Sequence, residues 1–209
     1  MGGVSAPSAH PALAAAVEAA RAAGEIAMRY YRGGVEVTIK PDRTPVTQAD
    51  REAEQIALEE RGEITTGVAL NPVTDELFTA RRGEGAYKNG ERLRVSECEA
   101  MKDSTVLHSG LRLVRETGHW DGFVRLFDAG SRTRGFGDYY GYGLVAEGKA
   151  EIYVEVDLKP WDVAPVKILV EEAGGRLTDF AGRPTIYGST VLATNGRLHA
   201  EALRLLAGR

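Results

Sequence analysis

Hydrophobic positions recur at helical spacing at both ends of this chain and alternate along much of its middle. From Pro11 to Arg32 an alanine-rich run carries Leu13, Val17, Ile26 and Tyr30 on one stripe, which predicts a long packed helix closed by Gly33-Gly34. Val35 to Lys40 alternates as a strand, and after a polar turn Thr47 is placed to cap a short helix over Gln48–Gln55. Ile56 to Pro72 reads as a hairpin turning near Gly62. Strands at Glu76–Arg81 and near Ala86-Tyr87, a turn at Asn89-Gly90 and an extended Arg92–Val95 complete an antiparallel meander. The pattern then predicts strands at Thr105–Ser109, Ser131–Gly135, Ala150–Val156 and Ser189–Thr194, and helices at Asp121–Ala129, Tyr139–Glu147, Val163–Ala173 and Leu198–Leu206. A layered α/β or α+β architecture follows.

One junction breaks the pattern. The helix ending at Gln55 runs straight into the strand starting at Ile56, where a helix-to-strand connection normally needs a few residues and often a glycine.

Composition narrows the classes of function. A chain of 209 residues with 43% hydrophobic content can bury a full core. Its single cysteine, Cys98, forbids an internal disulfide and fits a reducing compartment, so the cytoplasm is expected. No apolar run is long enough for a bilayer, and the start lacks the plan of a signal peptide. A formal charge of -4 with scattered basic residues gives no footprint for nucleic acid, which leaves a small molecule as the expected partner.

The chemistry concentrates where alternation through Tyr153-Val-Glu155-Val-Asp157 gives way to helical spacing after Trp161-Asp162. A carboxylate at such a corner can cap the helix or hold a hard cation, and either reading fits Asp162 taken alone. Glu155 lies near the same corner, with Trp161 as a wall. The four histidines share no metal-ligand spacing and read as packing or surface residues. Glu171-Glu172 reads as a solvated helix face, and Gly83-Glu84-Gly85 as a turn with no phosphate-cradling role.

Four segments in order, Lys40-Pro-Asp-Arg-Thr-Pro-Val-Thr-Gln-Ala-Asp50-Arg-Glu-Ala-Glu54, Arg81 to Ser96, Trp161-Asp162-Val-Ala, and Glu171-Glu-Ala-Gly-Gly175, resemble the inositol monophosphatase family. The resemblance implies one domain over residues 1–209, with halves of about 1–105 and 106–209 in an α-β-α-β-α sandwich. It also implies Mg2+-dependent hydrolysis of small phosphate monoesters with two or three ions, and a homodimer. Thr133 to Gly148 looks most like the histidinol-phosphate phosphatase branch. Inositol 1-phosphatases and phosphatases of sugar or nucleotide bisphosphates are the alternatives.

By the same resemblance Asp162 is a metal ligand. Asp50 supports the active-site threonine and a metal-bound water, Lys40 approaches the metals and phosphate, and Thr47 joins them as a candidate although capping accounts for it. Glu155 contacts the substrate, and Asp138 adds negative charge for a substrate ammonium. The family's Gly-Glu-Glu and Asp-Pro-Ile-Asp-Gly-Thr metal motifs are missing, and both belong at the Gln55–Ile56 junction. Either a longer natural chain has a further segment there, which is the favoured expectation, or the segment is truly lost. In the second case the chain is a non-catalytic scaffold or binding protein.

Overall fold

The computed structural model describes residues 10–33, 38–39, 45–46 and 56–208. Helix α1 (Pro11–Gly33) comes first, and the short strands β1 (Thr38–Ile39) and β2 (Pro45–Val46) pair antiparallel. The helix expected over Gln48–Gln55 lies outside the described residues.

The first large sheet is the expected meander. Strands β3 (Ile56–Glu60), β4 (Glu63–Asn71), β5 (Glu76–Arg81), β6 (Gly85–Lys88) and β7 (Glu91–Arg92) lie side by side in chain order, each antiparallel to the next. Its tight turns are left-handed at both central residues, Arg61-Gly62 (φ 57° and 81°) and Asn89-Gly90 (φ 49° and 83°). Such turns match the twist of the strands they join. The extended run expected over Arg92–Val95 is a strand only at its start. Beyond it, the Val95 N–H leaves the sheet and donates to the Ala173 carbonyl.

The second sheet holds β8 (Thr105–His108), β9 (Arg132–Gly135), β10 (Ile152–Val156), β11 (Arg176–Thr178) and β12 (Thr190–Thr194), ordered β11-β12-β10-β8-β9. Strands β8, β9 and β10 are parallel, and β12 runs antiparallel to β10 and β11. Five helices accompany it: α2 (Leu111–Glu116), α3 (Trp120–Ala129), α4 (Asp138–Ala146), α5 (Pro160–Glu172) and α6 (His199–Ala207). Helix α2, under two turns with only Val114 buried, gives too short a stripe to register as a period in the sequence.

Alternation along the strands sorts the layers. On β4, Val68 packs with Leu13, Ala16 and Ala20 of α1, while Ala69 joins a cluster with Phe78, Val163, Val166 and Val170. Helices α1 and α5 therefore cover opposite faces of the first sheet. On β10, Tyr153 faces that same middle cluster with Val145 of α4, whereas Ile152, Val154 and Val156 pack with Phe123 and Leu126 of α3 and Ala202 of α6. The order is helix, sheet, helix pair, sheet, helices: an α-β-α-β-α sandwich. Strand β10, covered on both faces, is buried along its whole length, as expected of a strand between two helical layers.

Candidate active site

Two features of the second sheet create a site. The parallel strands β8, β9 and β10 end at the same edge, and helices α4 and α5 of the middle layer begin beside it. Strand ends of a parallel sheet bordered by helix amino ends form the crevice where α/β proteins hold ligands.

Glu155 stands on β10 and points into the middle layer, where it is 8% exposed. Its Oε2 accepts a hydrogen bond from the Tyr142 hydroxyl of α4 at 2.8 Å. Burial, the largest influence, raises its carboxyl pKa to about 7. The tyrosine hydroxyls of 142 and 153 pull it down, and the charges of Asp138 and Asp162 push it up. Glu155, Asp138 and Asp162 thus lie within electrostatic reach of one another. The fold unites three of the residues singled out in the sequence, from three different elements.

Asp138 is the exposed first residue of α4 and adopts φ 56°, a left-handed backbone that a non-glycine residue seldom takes. Asp157, the residue after β10, does the same at φ 63°. Strained backbone of this kind gathers where a fold over-determines its geometry, commonly at sites.

Asp162 is exposed in the first turn of α5, and its Oδ2 accepts the Lys159 N–H at 2.9 Å. The capping role open from the sequence is therefore realised through one oxygen, and Oδ1 has no partner among the described residues. Trp161, expected as a wall, is 64% exposed and lines a cavity of about 370 Å³ with Ala57, Ile64, Ile186 and Tyr187.

Lys40, Thr47 and Asp50 lie outside the described residues. Among the described residues no three His, Cys, Asp or Glu side chains come together as a group that could hold a metal ion. Of the expected metal set only Asp162 is in place, so these residues alone do not compose a magnesium site.

One other reading changes. Glu172 is not a solvated face: its carboxylate accepts the N–H groups of Gly83 and Gly85, both at 2.9 Å, so the glycine turn is an anion cradle already filled by the protein. Glu171 pairs with Lys167. His199 does have the packing role expected of it. It is 1% exposed, its Nε2 and Nδ1 each lie 2.9 Å from the hydroxyls of Thr178 and Thr194, and burial lowers its pKa to about 4. The sequence reading missed Tyr142 and Tyr153, although alternation already set Tyr153 on the same strand face as Glu155, and helical spacing set Tyr142 one turn past Asp138.

The sequence profile described as the inositol monophosphatase family matches residues 55–208. A protein of Chlorobaculum parvum named histidinol-phosphatase is 32% identical, covering 90% of this chain and 93% of that protein. That alignment runs over 244 residues, more than the 209 of this chain, so the relative has residues with no counterpart here. An inositol-1-monophosphatase of Rhizobium meliloti is 40% identical over 71% of this chain, a match that spans only 57% of its own length. Among solved structures, the extragenic suppressor protein SuhB of Bartonella henselae superposes with a TM-score of 0.83 at 28% identity, covering 91% of this chain and 96% of that one. With a profile match over most of its length, a relative aligned nearly end to end and a shared five-layer sandwich, the chain belongs to the inositol monophosphatase family.

Proposed function

We propose that this protein is a phosphatase of small phosphate monoesters that carry a cationic group, with histidinol phosphate the first candidate substrate and inositol 1-phosphate the second. The observation behind this reading is that three carboxylates, Asp138, Glu155 and Asp162, lie within electrostatic reach of one another near the edge where the parallel strands end. Carboxylates gathered in this way attract an ammonium, and a neutral polyol gains nothing comparable from them. The organic part of the ester would meet Glu155 and Asp138, and its phosphate would lie toward the amino ends of α4 and α5, where free N–H groups favour anions. Asp162 is the residue that would take part in binding Mg2+, the cofactor proposed here by analogy with the family. The remaining ligands would come from outside the described residues, and the chain would act in the cytoplasm as a homodimer. The test is phosphate release with added Mg2+ from histidinol phosphate, inositol 1-phosphate, fructose 1,6-bisphosphate and a 3′-phosphonucleotide. Histidinol phosphate should have the highest kcat/KM by at least about tenfold, a difference of ~1.4 kcal/mol. An equal or higher value for inositol 1-phosphate rejects the substrate assignment.

A second reading is favoured by the alignment that exceeds this chain in length and by the absence of a metal-holding group among the described residues. In it the segment expected between Gln55 and Ile56 is truly lost, and the protein binds a ligand or partner without turnover. An intact natural product of 22.5 kDa that binds histidinol phosphate yet releases no phosphate would establish this reading over the first.

A further inference from the structure

Glu155 does not stand alone in the middle layer. The Tyr142 side chain is fully buried and its hydroxyl meets Glu155 at 2.8 Å. Its ring stands edge-on to that of Tyr153, with centroids 4.5 Å apart and planes at 84°. Tyr153 in turn donates from its hydroxyl to the Phe136 carbonyl at 3.3 Å, in the segment that leads from β9 into α4. Its ring occupies the space above Gly141, where a Cβ would come within 2.6 Å of Cε2, so residue 141 can carry no side chain without displacing the pair. Three contacts therefore link the loop before α4, two tyrosine rings and the Glu155 carboxylate, and the Tyr153 hydroxyl also bears on that carboxylate.

Packing alone does not require a hydroxyl at position 142, because a phenylalanine ring fills the same space. A buried phenol costs free energy unless it is hydrogen-bonded, and the partner of this one among the described residues is the Glu155 carboxylate. A carboxylate with one oxygen held by a buried donor loses its rotational freedom, and its second oxygen then keeps a fixed direction.

We propose that Tyr142 is a positioning residue for substrate recognition: by binding Oε2 of Glu155 it fixes the carboxylate so that Oε1 is presented to the ammonium of the substrate. Tyr153 braces the Tyr142 ring and ties the arrangement to the loop that carries Asp138. The inference rests on the reading of Glu155 as the substrate contact. The titratable groups that bear on Glu155 are Tyr142 from α4, Tyr153 from its own strand, Asp138 at the start of α4 and Asp162 in the first turn of α5. A hydroxyl donated to a carboxylate favours the charged form, so its removal raises the pH at which Glu155 ionises.

The test uses Tyr142→Phe, which keeps the ring, with Glu155→Gln to assign the Glu155 signal. In the ligand-free protein the Glu155 carboxyl is titrated by carbon-13 NMR. Tyr142→Phe should move its midpoint upward by roughly one pH unit, while Tyr153→Phe moves it less. Binding of L-histidinol, an ammonium ligand without phosphate and hence without need of a metal, is followed by calorimetry across pH. In Tyr142→Phe the affinity should fall by more than about fivefold at pH 7, the loss expected from the raised midpoint alone, and by less above pH 8.5, where only the lost orientation of the carboxylate remains. An unmoved carboxyl midpoint overturns the positioning role. An affinity lost equally at every pH would show that Tyr142 acts through packing alone, and would overturn it as well. If the wild-type protein fails to bind L-histidinol at any pH, the substrate reading of Glu155 falls, whereas the carboxyl titration reports on the Tyr142 contact independently.

Discussion

At the scale of single residues, Asp162 and Glu155 differ in what their surroundings allow. Asp162 is exposed and shares one oxygen with the start of its own helix, so replacing it with asparagine keeps an acceptor for the Lys159 N–H and removes only charge. Asp162→Asn should therefore retain the wild-type melting temperature within about 2 °C while losing at least ~100-fold in Mg2+-supported phosphate release. Near-normal turnover would remove Asp162 from the chemistry. Glu155 is buried, and its pKa of about 7 against an ordinary 4.5 means that the folded protein binds its proton more tightly than the unfolded chain does. The corresponding stability is complete below pH 4.5 and is lost as pH rises through 7, a span equivalent to roughly 3 kcal/mol. Glu155→Gln should accordingly raise the melting temperature at pH 8 and change it little below pH 4.5. His199 acts in the opposite sense. With its pKa lowered from 6.5 to about 4, its contribution is complete above pH 6.5 and is lost as pH falls toward 4.

At the scale of elements, close approach of backbones fixes the layers. Gly67 of β4 lies so near α5 that an added Cβ would come 2.5 Å from the Pro165 carbonyl oxygen, and Gly122 of α3 lies equally near the Leu206 carbonyl oxygen of α6. Neither backbone oxygen can yield as a flexible side chain would. Gly122→Ala should thus push α3 away from α6 and destabilise the protein by about 2–3 kcal/mol despite the better helix propensity of alanine. Chemical denaturation measures this directly, and a neutral or stabilising effect would mean that the two helices can shift apart at no cost. The candidate site lies elsewhere, beside the starts of α4 and α5, so the ligand-binding properties proposed for it should be unchanged in the variant wherever it remains folded.

At the scale of the whole molecule, the site depends on how the two sheets are joined. Helix α5 packs on β4, β5 and β6 of the first sheet and carries Asp162, while β10 of the second sheet carries Glu155. The middle layer is thus both a core and the place where the candidate groups converge. The two readings of function separate here as well. A catalytic protein must complete its metal group from residues beyond those described, and Mg2+ should then raise its melting temperature and support phosphate release. A protein without that segment would show neither response and, on the proposed reading, would still bind its ligand at Glu155 and Asp138.

Much of the fold was legible because local periodicity is strong. The strand pairs around Gly62 and Asn89-Gly90, the long first helix and the change from alternation to helical spacing at Trp161-Asp162 are each written in a few adjacent residues, where side-chain direction follows the backbone period. Four segments in order, the Trp161-Asp162 corner among them, carried the family resemblance and made Asp162 a candidate. Sequence could not fix the partner of each side chain, since partners are set by packing between elements far apart in the chain. It therefore presented Glu172 as solvated when it fills the Gly83–Gly85 turn, and left Tyr142 unremarked although its hydroxyl holds Glu155. The residues themselves determined most of the elements, the family and the candidate carboxylates. Tertiary structure alone decided that Glu155 is buried beside two tyrosines within the field of Asp138 and Asp162, because burial and charge proximity arise only once the layers close.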